Sequence, residues 1–314
     1  MDRYHNAWMR KPEQPFLVLG IATAGRRDLL SEVFARLDHQ STYPDLAVVC
    51  GTAVDDVDKY ALARAPFPVV VLHGVKGLAL QRNAILDLLE AHWPEASLLL
   101  FLDDDFVPAT TFVEQAISLA NDHPEVVLAT GTVLKDGIKN SGVPLTEAIH
   151  VLDDDQRSGR ASRIGALQDV YNVYGCNMLL RLRPILEQGA RFDANLPLYS
   201  WLEDVEFSRA VARCGRIVRS SALRGVHLGT KSGRTPGIKF GYSQVANPIY
   251  LWRKNRMTAR RTVTRVARNL IANLVRSFRP EPWVDRRGRL KGNLIGLSEL
   301  LAGRLSPMRI LDLD

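Results

Sequence analysis

The sequence predicts an α/β domain on a mostly parallel central sheet, followed by a basic, mainly helical C-terminal region. Three features predict it. Short apolar runs alternate with stretches whose apolar residues recur every three or four positions; the chemically interesting side chains gather where the apolar runs stop; and the chain turns helical and cationic after residue 250. A length of 314 residues suits one large α/β unit with an appendage, divided here into 1–250 and 251–314.

Residues 16–22 (FLVLGIA) read as a first buried strand. A helix follows from Asp28, with Leu30, Val33, Phe34 and Leu37 on one face. Residues 46–50 and 68–73 are the second and third strands. From Gly77 a helix carries Ala84, Ile85, Leu88 and Leu89, and residues 97–102 form a fourth strand that runs into Asp103, Asp104 and Asp105. Further on, 171–180 is expected as a strand, 202–213 as a helix and 216–220 as a strand. Four glycines and a proline in 229–241 predict a mobile loop, with helix expected after Pro248. Parallel sheets bind ligands beyond the carboxyl ends of their strands. Thr23, Gly25 and Arg26 fall there after the first strand, and the acidic triplet after the fourth.

The 46% hydrophobic and 24% charged content is that of an ordinary folded protein. Cys50, Cys176 and Cys214 lack metal-type spacing and read as buried or free thiols in a reducing compartment. Residues 1–15 have no apolar core for a signal peptide, and no run approaches the roughly 18 apolar residues of a membrane span. A cytoplasmic, non-spanning protein is therefore expected. Of the net charge of +7, residues 252–291 hold thirteen Lys or Arg against Glu281 and Asp285, which leaves the remainder mildly acidic.

A buried strand ending in three carboxylates concentrates negative charge at the core's edge. Mg²⁺ or Mn²⁺, with substrate phosphates completing its shell, suits that arrangement; a solvated acidic turn is the alternative. Trp201-Leu-Glu203-Asp204 places an acidic pair at a helix start, where capping is the ordinary role. His227 is an isolated histidine, of interest because a metal site already stands in view. Residues 20–27 (GIATAGRR) approach a phosphate-binding loop but carry arginines where Lys and Ser or Thr belong. Residues 77–83 (GLALQRN) set Arg82 at a helix start, where it meets a diphosphate or is simply exposed.

The order of these elements, over roughly residues 16–255, resembles family 2 glycosyltransferases of the GT-A fold, and within them the galactofuranosyl- and rhamnosyltransferase-like branch. The resemblance implies a nucleotide-sugar donor, UDP-linked by preference or dTDP-linked, held by Thr23, Gly25, Arg26, Arg82, Asn83, Asp103 and Asp104. It makes Asp103–Asp105 the DxD motif and implies a divalent cation on Asp105 and His227. Asp204 matches the catalytic base of an inverting displacement, with Trp201 and Glu203 at the acceptor. Tyr250, Arg253 and Asn255 match a downstream element of that branch. In this family an acidic residue after the second strand contacts the base, whereas this strand ends Val49-Cys50-Gly51; Asp55 or Asp56 is the substitute expected there. The implied role is bacterial cell-surface polysaccharide synthesis on a glycan or lipid-linked glycan acceptor, by a protein peripheral to the inner face of the membrane.

Residues 258–278 place Val263, Val266, Ala267, Leu270, Ile271, Leu274 and Phe278 on one side of a helix and Arg261, Arg265, Arg268 and Arg276 on the other. Such a helix lies in an anionic membrane surface, apolar side down, or packs on the catalytic body with its arginines in water. Nucleic acid is not an expected partner, because the arm lacks interleaved aromatics and a recognition module. A sugar-phosphate nucleotidyltransferase is the rival enzyme and releases pyrophosphate. An inactive glycan-binding relative would be expected to lose Asp204 or the acidic triplet.

Overall fold

The computed structural model describes residues 15–159, 166–231 and 235–313. Strands β1 (Phe16–Thr23), β2 (Leu46–Gly51), β3 (Val69–Leu72) and β4 (Ala96–Asp103) form a parallel block in the order β3-β2-β1-β4. Covered on both faces, β1, β2 and β4 read as the continuous apolar runs expected of buried parallel strands. The crossovers hold α1 (Arg27–Ala35), α2 (Lys59–Leu62) and α3 (Leu78–His92). Leu30, Val33, Phe34 and the following Leu37 are buried, as are Ile85 and Leu89 of α3, so the helical spacing predicted the correct faces.

Beyond β4 the sheet becomes mixed. Strands β5 (Phe106–Pro108), β6 (Val126–Asp136), β7 (Leu167–Asp169), β8 (Asn177–Arg181) and β9 (Arg216–His227) continue it as β4-β8-β6-β9-β5, with β7 also on β9. Strand β8 runs antiparallel to both neighbours, while β6 and β9 pair parallel. The strand expected over 171–180 forms only as β8, because residues 171–176 turn toward the ends of the parallel block. The strand expected at 216–220 continues to His227, since β5 and the second half of β6 offer it partners. Helices α4 (Phe112–Asp122), α5 (Leu145–Arg157), α6 (Leu182–Glu187) and α7 (Glu203–Ala210) complete this part.

Helices α8 (Gly237–Arg253), α9 (Ala259–Arg276) and α10 (Arg286–Leu301) pack on one another. The loop expected over 229–241 is therefore shorter: residues 232–234 lie outside the described residues, and 237–241 begin α8. Gly241 serves a helix crossing instead. A Cβ on Gly241 would sit 2.6 Å from the Arg289 Cα, and one on Gly292 would sit 2.6 Å from the Tyr242 nitrogen. Beside that crossing, Asn273 Nδ2 donates to Gln244 Oε1 at 2.7 Å and to Asn293 Oδ1 at 2.8 Å, and all three residues are buried. Helix α8 runs through residue 250, and its Asn247 donates to the Trp201 carbonyl at 2.7 Å.

Helix α9 departs from the packed arrangement expected for it, with its arginines in water and its apolar side covered. Thr262 and Asn273 face inward, whereas Val263, Ile271, Leu274, Val275 and Phe278 are exposed, Phe278 by 79%. Its arginines are not all in water: Arg261 lies over the Tyr171 ring at 4.0 Å, and half-buried Arg265 over the Trp201 ring at 5.9 Å. No described helix is long and apolar enough to cross a membrane.

Candidate active site

The carboxyl ends of β1, β2 and β4 meet because Ala22 pairs with Asp103 and also with Cys50. Gln81 fastens two of these ends, its Nε2 donating to the Thr23 carbonyl at 2.8 Å and the Cys50 carbonyl at 2.7 Å. Thr23 Oγ1 donates to Asp104 at 2.7 Å, and Arg26 Nη1 lies 2.7 Å from Asp104 and 3.5 Å from Asp105. Gly25 takes a positive φ of 65° so that its N–H reaches Asp56 Oδ1 at 2.7 Å. The other Asp56 oxygen accepts from Thr52 and Ala53. Asp56 is thus engaged in shaping the turn, and Asp55 is the exposed carboxylate after β2.

Strand register brings His227 to the triplet: it pairs with Phe106 on β5 and Asp136 on β6. Its Nε2 lies 3.3 Å from Asp105 and its Nδ1 2.9 Å from Asp136. Asp103, Asp105 and His227 each present a ligand atom within 4.8 Å of the others. Two carboxylates and an imidazole at that spacing fit a small divalent cation, and Asp136 on Nδ1 directs Nε2 toward it. Burial would raise the Asp105 carboxyl, but the His227 hydrogen bond and charge and the nearby Arg26 draw it down to about 2. Burial would lower His227, but Asp105 and Asp136 raise it to about 10. Burial pushes Asp104 up to about 7, against the pull of Arg26.

Arg82 joins the two acidic stretches. Its Nη1 donates to Glu203 at 2.7 Å, and its Nη2 donates to Asp103 at 3.1 Å and to the Gly175 carbonyl at 2.8 Å. The guanidinium is 2% exposed and packs beside Phe101 and Phe192, so it positions acids and faces away from solvent. Glu203 is buried on it, and burial with adjacent Asp204 pushes that carboxyl up to about 8 despite Arg82. A Cβ on Gly175 would stand 2.8 Å from Glu203 Oε1, which explains glycine there. Asp204 is half-buried and accepts from the Val205 and Gly175 N–H groups at 2.7 and 3.3 Å; burial raises its pKa.

Of the residues singled out in the sequence, Thr23, Arg26, Asp103, Asp104, Asp105, His227, Arg82, Glu203 and Asp204 thus form one connected group, with Gly25 at its rim and half-buried Trp201 three positions from Asp204. Asn83 is elsewhere: its amide donates to the Phe192 carbonyl and accepts from the Phe192 N–H, both at 2.8 Å. Sequence reasoning missed Asp136 and Tyr174, whose hydroxyl donates to Asp136 at 3.0 Å. Only the β6–β9 register singles out Asp136.

No protein-family model and no curated protein matches the chain. Solved structures do. S. aureus TarS 1–349 is 15% identical with a TM-score of 0.50 over 75% of this chain and 65% of that chain, so the chain spans just under two thirds of its length. The same TarS segment in complex with UDP matches at 14% identity and the same TM-score. Mannosyltransferase PcManGT from Pyrobaculum calidifontis, in complex with GDP-Man and Mn²⁺, is 15% identical with a TM-score of 0.50 over 98% of this chain and 83% of that one. At such identities the likeness establishes the fold, a mixed α/β architecture of the GT-A type.

Proposed function

We propose that the chain is an inverting glycosyltransferase that moves a sugar from a nucleotide-sugar donor to a glycan or lipid-linked glycan acceptor. The observation that carries this reading is the convergence of Asp103, Asp105 and His227, linked through Arg82 to the Glu203–Asp204 pair. Asp105 and His227 would hold a divalent cation, whose positive charge would favour departure of a nucleoside diphosphate. Arg26, exposed by 18% at the triplet, adds a second cation on the donor side. Asp204 accepts the proton of the acceptor hydroxyl as that oxygen attacks the anomeric carbon from the opposite face, and the raised proton affinity of this carboxylate suits a general base. His227 in this position supports the galactofuranosyl- and rhamnosyltransferase-like branch.

A screen of UDP-, dTDP- and GDP-sugars with Mn²⁺ or Mg²⁺ tests the reading. Release of nucleoside diphosphate that stops in chelator and in Asp105→Asn is the expected result. Pyrophosphate release would make the chain a nucleotidyltransferase, and activity unaffected by chelator would remove the cation from the mechanism.

The outward face of α9 supports peripheral attachment to an anionic bilayer, with exposed Arg260 and Arg279 beside exposed Val263, Ile271 and Phe278. Flotation of the full chain with phosphatidylglycerol vesicles, but not with phosphatidylcholine vesicles, is expected. Absence of flotation on both would sink the attachment.

A further inference from the structure

Arg261, Arg265 and Arg268 follow one another on α9 at steps of four and three residues, so they line one side of that helix. The side faces the Asp204 end of the site. Arg261 stacks on Tyr171, whose ring also carries Arg209 at 4.7 Å. Arg265 lies over Trp201, and the carboxylate whose field reaches it is that of Asp204. Among the described residues none of the three has an ion-pair partner. Neighbouring cations do: Arg276 and Arg286 share Glu281, and Arg256 and Lys254 share Glu206. Burial disfavours the charge on Arg265, and Arg268 and Arg261 add like-charge repulsion. A half-buried guanidinium between two others is costly unless an anion meets it, and guanidinium forks match phosphate oxygens in pairs.

Trp201 extends this surface. The Phe240 ring is 5.8 Å from it, and Tyr199 is 6.1 Å beyond, 43% exposed. Aromatic faces of this kind accept the apolar face of a sugar ring, and Arg265, the middle arginine of the row, lies over Trp201. The donor side, by contrast, holds its cations against the acidic triplet.

We propose that Arg261, Arg265 and Arg268 bind a phosphate group carried by the acceptor, setting the acceptor sugar over Trp201 with its hydroxyl at Asp204. This rests on the reading of Asp204 as the acceptor-side base. The phosphate belongs either to a lipid-linked sugar or to a soluble sugar phosphate.

Titration of the full chain, in chelator, without donor and at about 0.15 M salt to screen weak surface attraction, tests the site with farnesyl phosphate, glucose 1-phosphate and glucose. Both phosphates are expected to bind and glucose to bind more weakly. Arg265→Gln should weaken phosphate binding about tenfold, the loss of one charge-assisted contact. The triple glutamine variant should lose more, whereas Asp204→Asn should tighten binding by removing a repelling carboxylate. Preference for farnesyl phosphate assigns the lipid source, and equal affinity assigns the soluble one. The proposal is overturned if the triple variant, folded by circular dichroism, binds both phosphates like the unmodified chain, or if glucose binds equally well. Because no turnover is read, that failure would leave sugar transfer standing; failure to release nucleoside diphosphate would remove transfer and leave the anion measurement intact.

Discussion

The strand ends around Asp103 and the helical bundle of α8, α9 and α10 distribute polarity in opposite ways. At the strand ends charged groups are buried, and each is tied to an opposite charge or a backbone N–H: Arg82 to Glu203 and Asp103, His227 to Asp105 and Asp136. In the bundle the buried contacts include neutral amides and glycines, while Val263, Ile271, Leu274 and Phe278 are turned outward. One region uses the interior to fix charges in relation to each other, and the other leaves apolar side chains at its surface. Burial therefore follows what each surface must meet as well as hydrophobicity.

Substitutions can break this contrast, and the largest effect is expected at Asp204, the proposed base. Asp204→Asn should lower transfer by about 10²- to 10⁴-fold, the usual contribution of a general base, with donor binding by titration nearly unchanged. An equal fall in donor affinity would place Asp204 on the donor side. Next comes Arg82→Met, which strands Glu203 and Asp103 without their cation. It should cost about 3–5 kcal/mol in urea unfolding, and a cost below 1 kcal/mol by the same extrapolation would show that water reaches these carboxylates. In the bundle, Asn273→Leu should cost about 1–3 kcal/mol, because Gln244 and Asn293 each lose a buried partner. The smallest stability effect is expected from Ile271→Ser with Phe278→Ser, within about 0.5 kcal/mol, although vesicle flotation should be lost. A large drop in thermal midpoint for that pair would mean that the outward face is packed after all.

The same contrast explains what could be read from the sequence. The parallel block was legible because strands buried on both faces appear as uninterrupted apolar runs, and Asp103–Asp105 stand directly behind one. Asp136 was not legible: a single aspartate at a strand end gains meaning only from register with a strand ninety-one positions later. Gly237 and Gly241 resembled loop glycines, although close helix approach demands the same absence of a side chain. The apolar stripe of α9 was visible, but periodicity reports that a stripe exists and is silent about which neighbour covers it. Asn83 sits beside Arg82 in sequence, yet its amide is taken up by the Phe192 backbone and not by the acids that Arg82 holds.

The pairing of Asp136 with His227 bears on the order of events during folding. No local fragment contains both, and they form the last pair of the β6–β9 register. Contacts that form after the folding barrier hold the finished molecule shut and do little to hasten its assembly, and a pair at the far end of such a register is expected to be one of them. Mn²⁺ should accordingly lengthen the lifetime of the native chain in denaturant while leaving its refolding rate almost untouched.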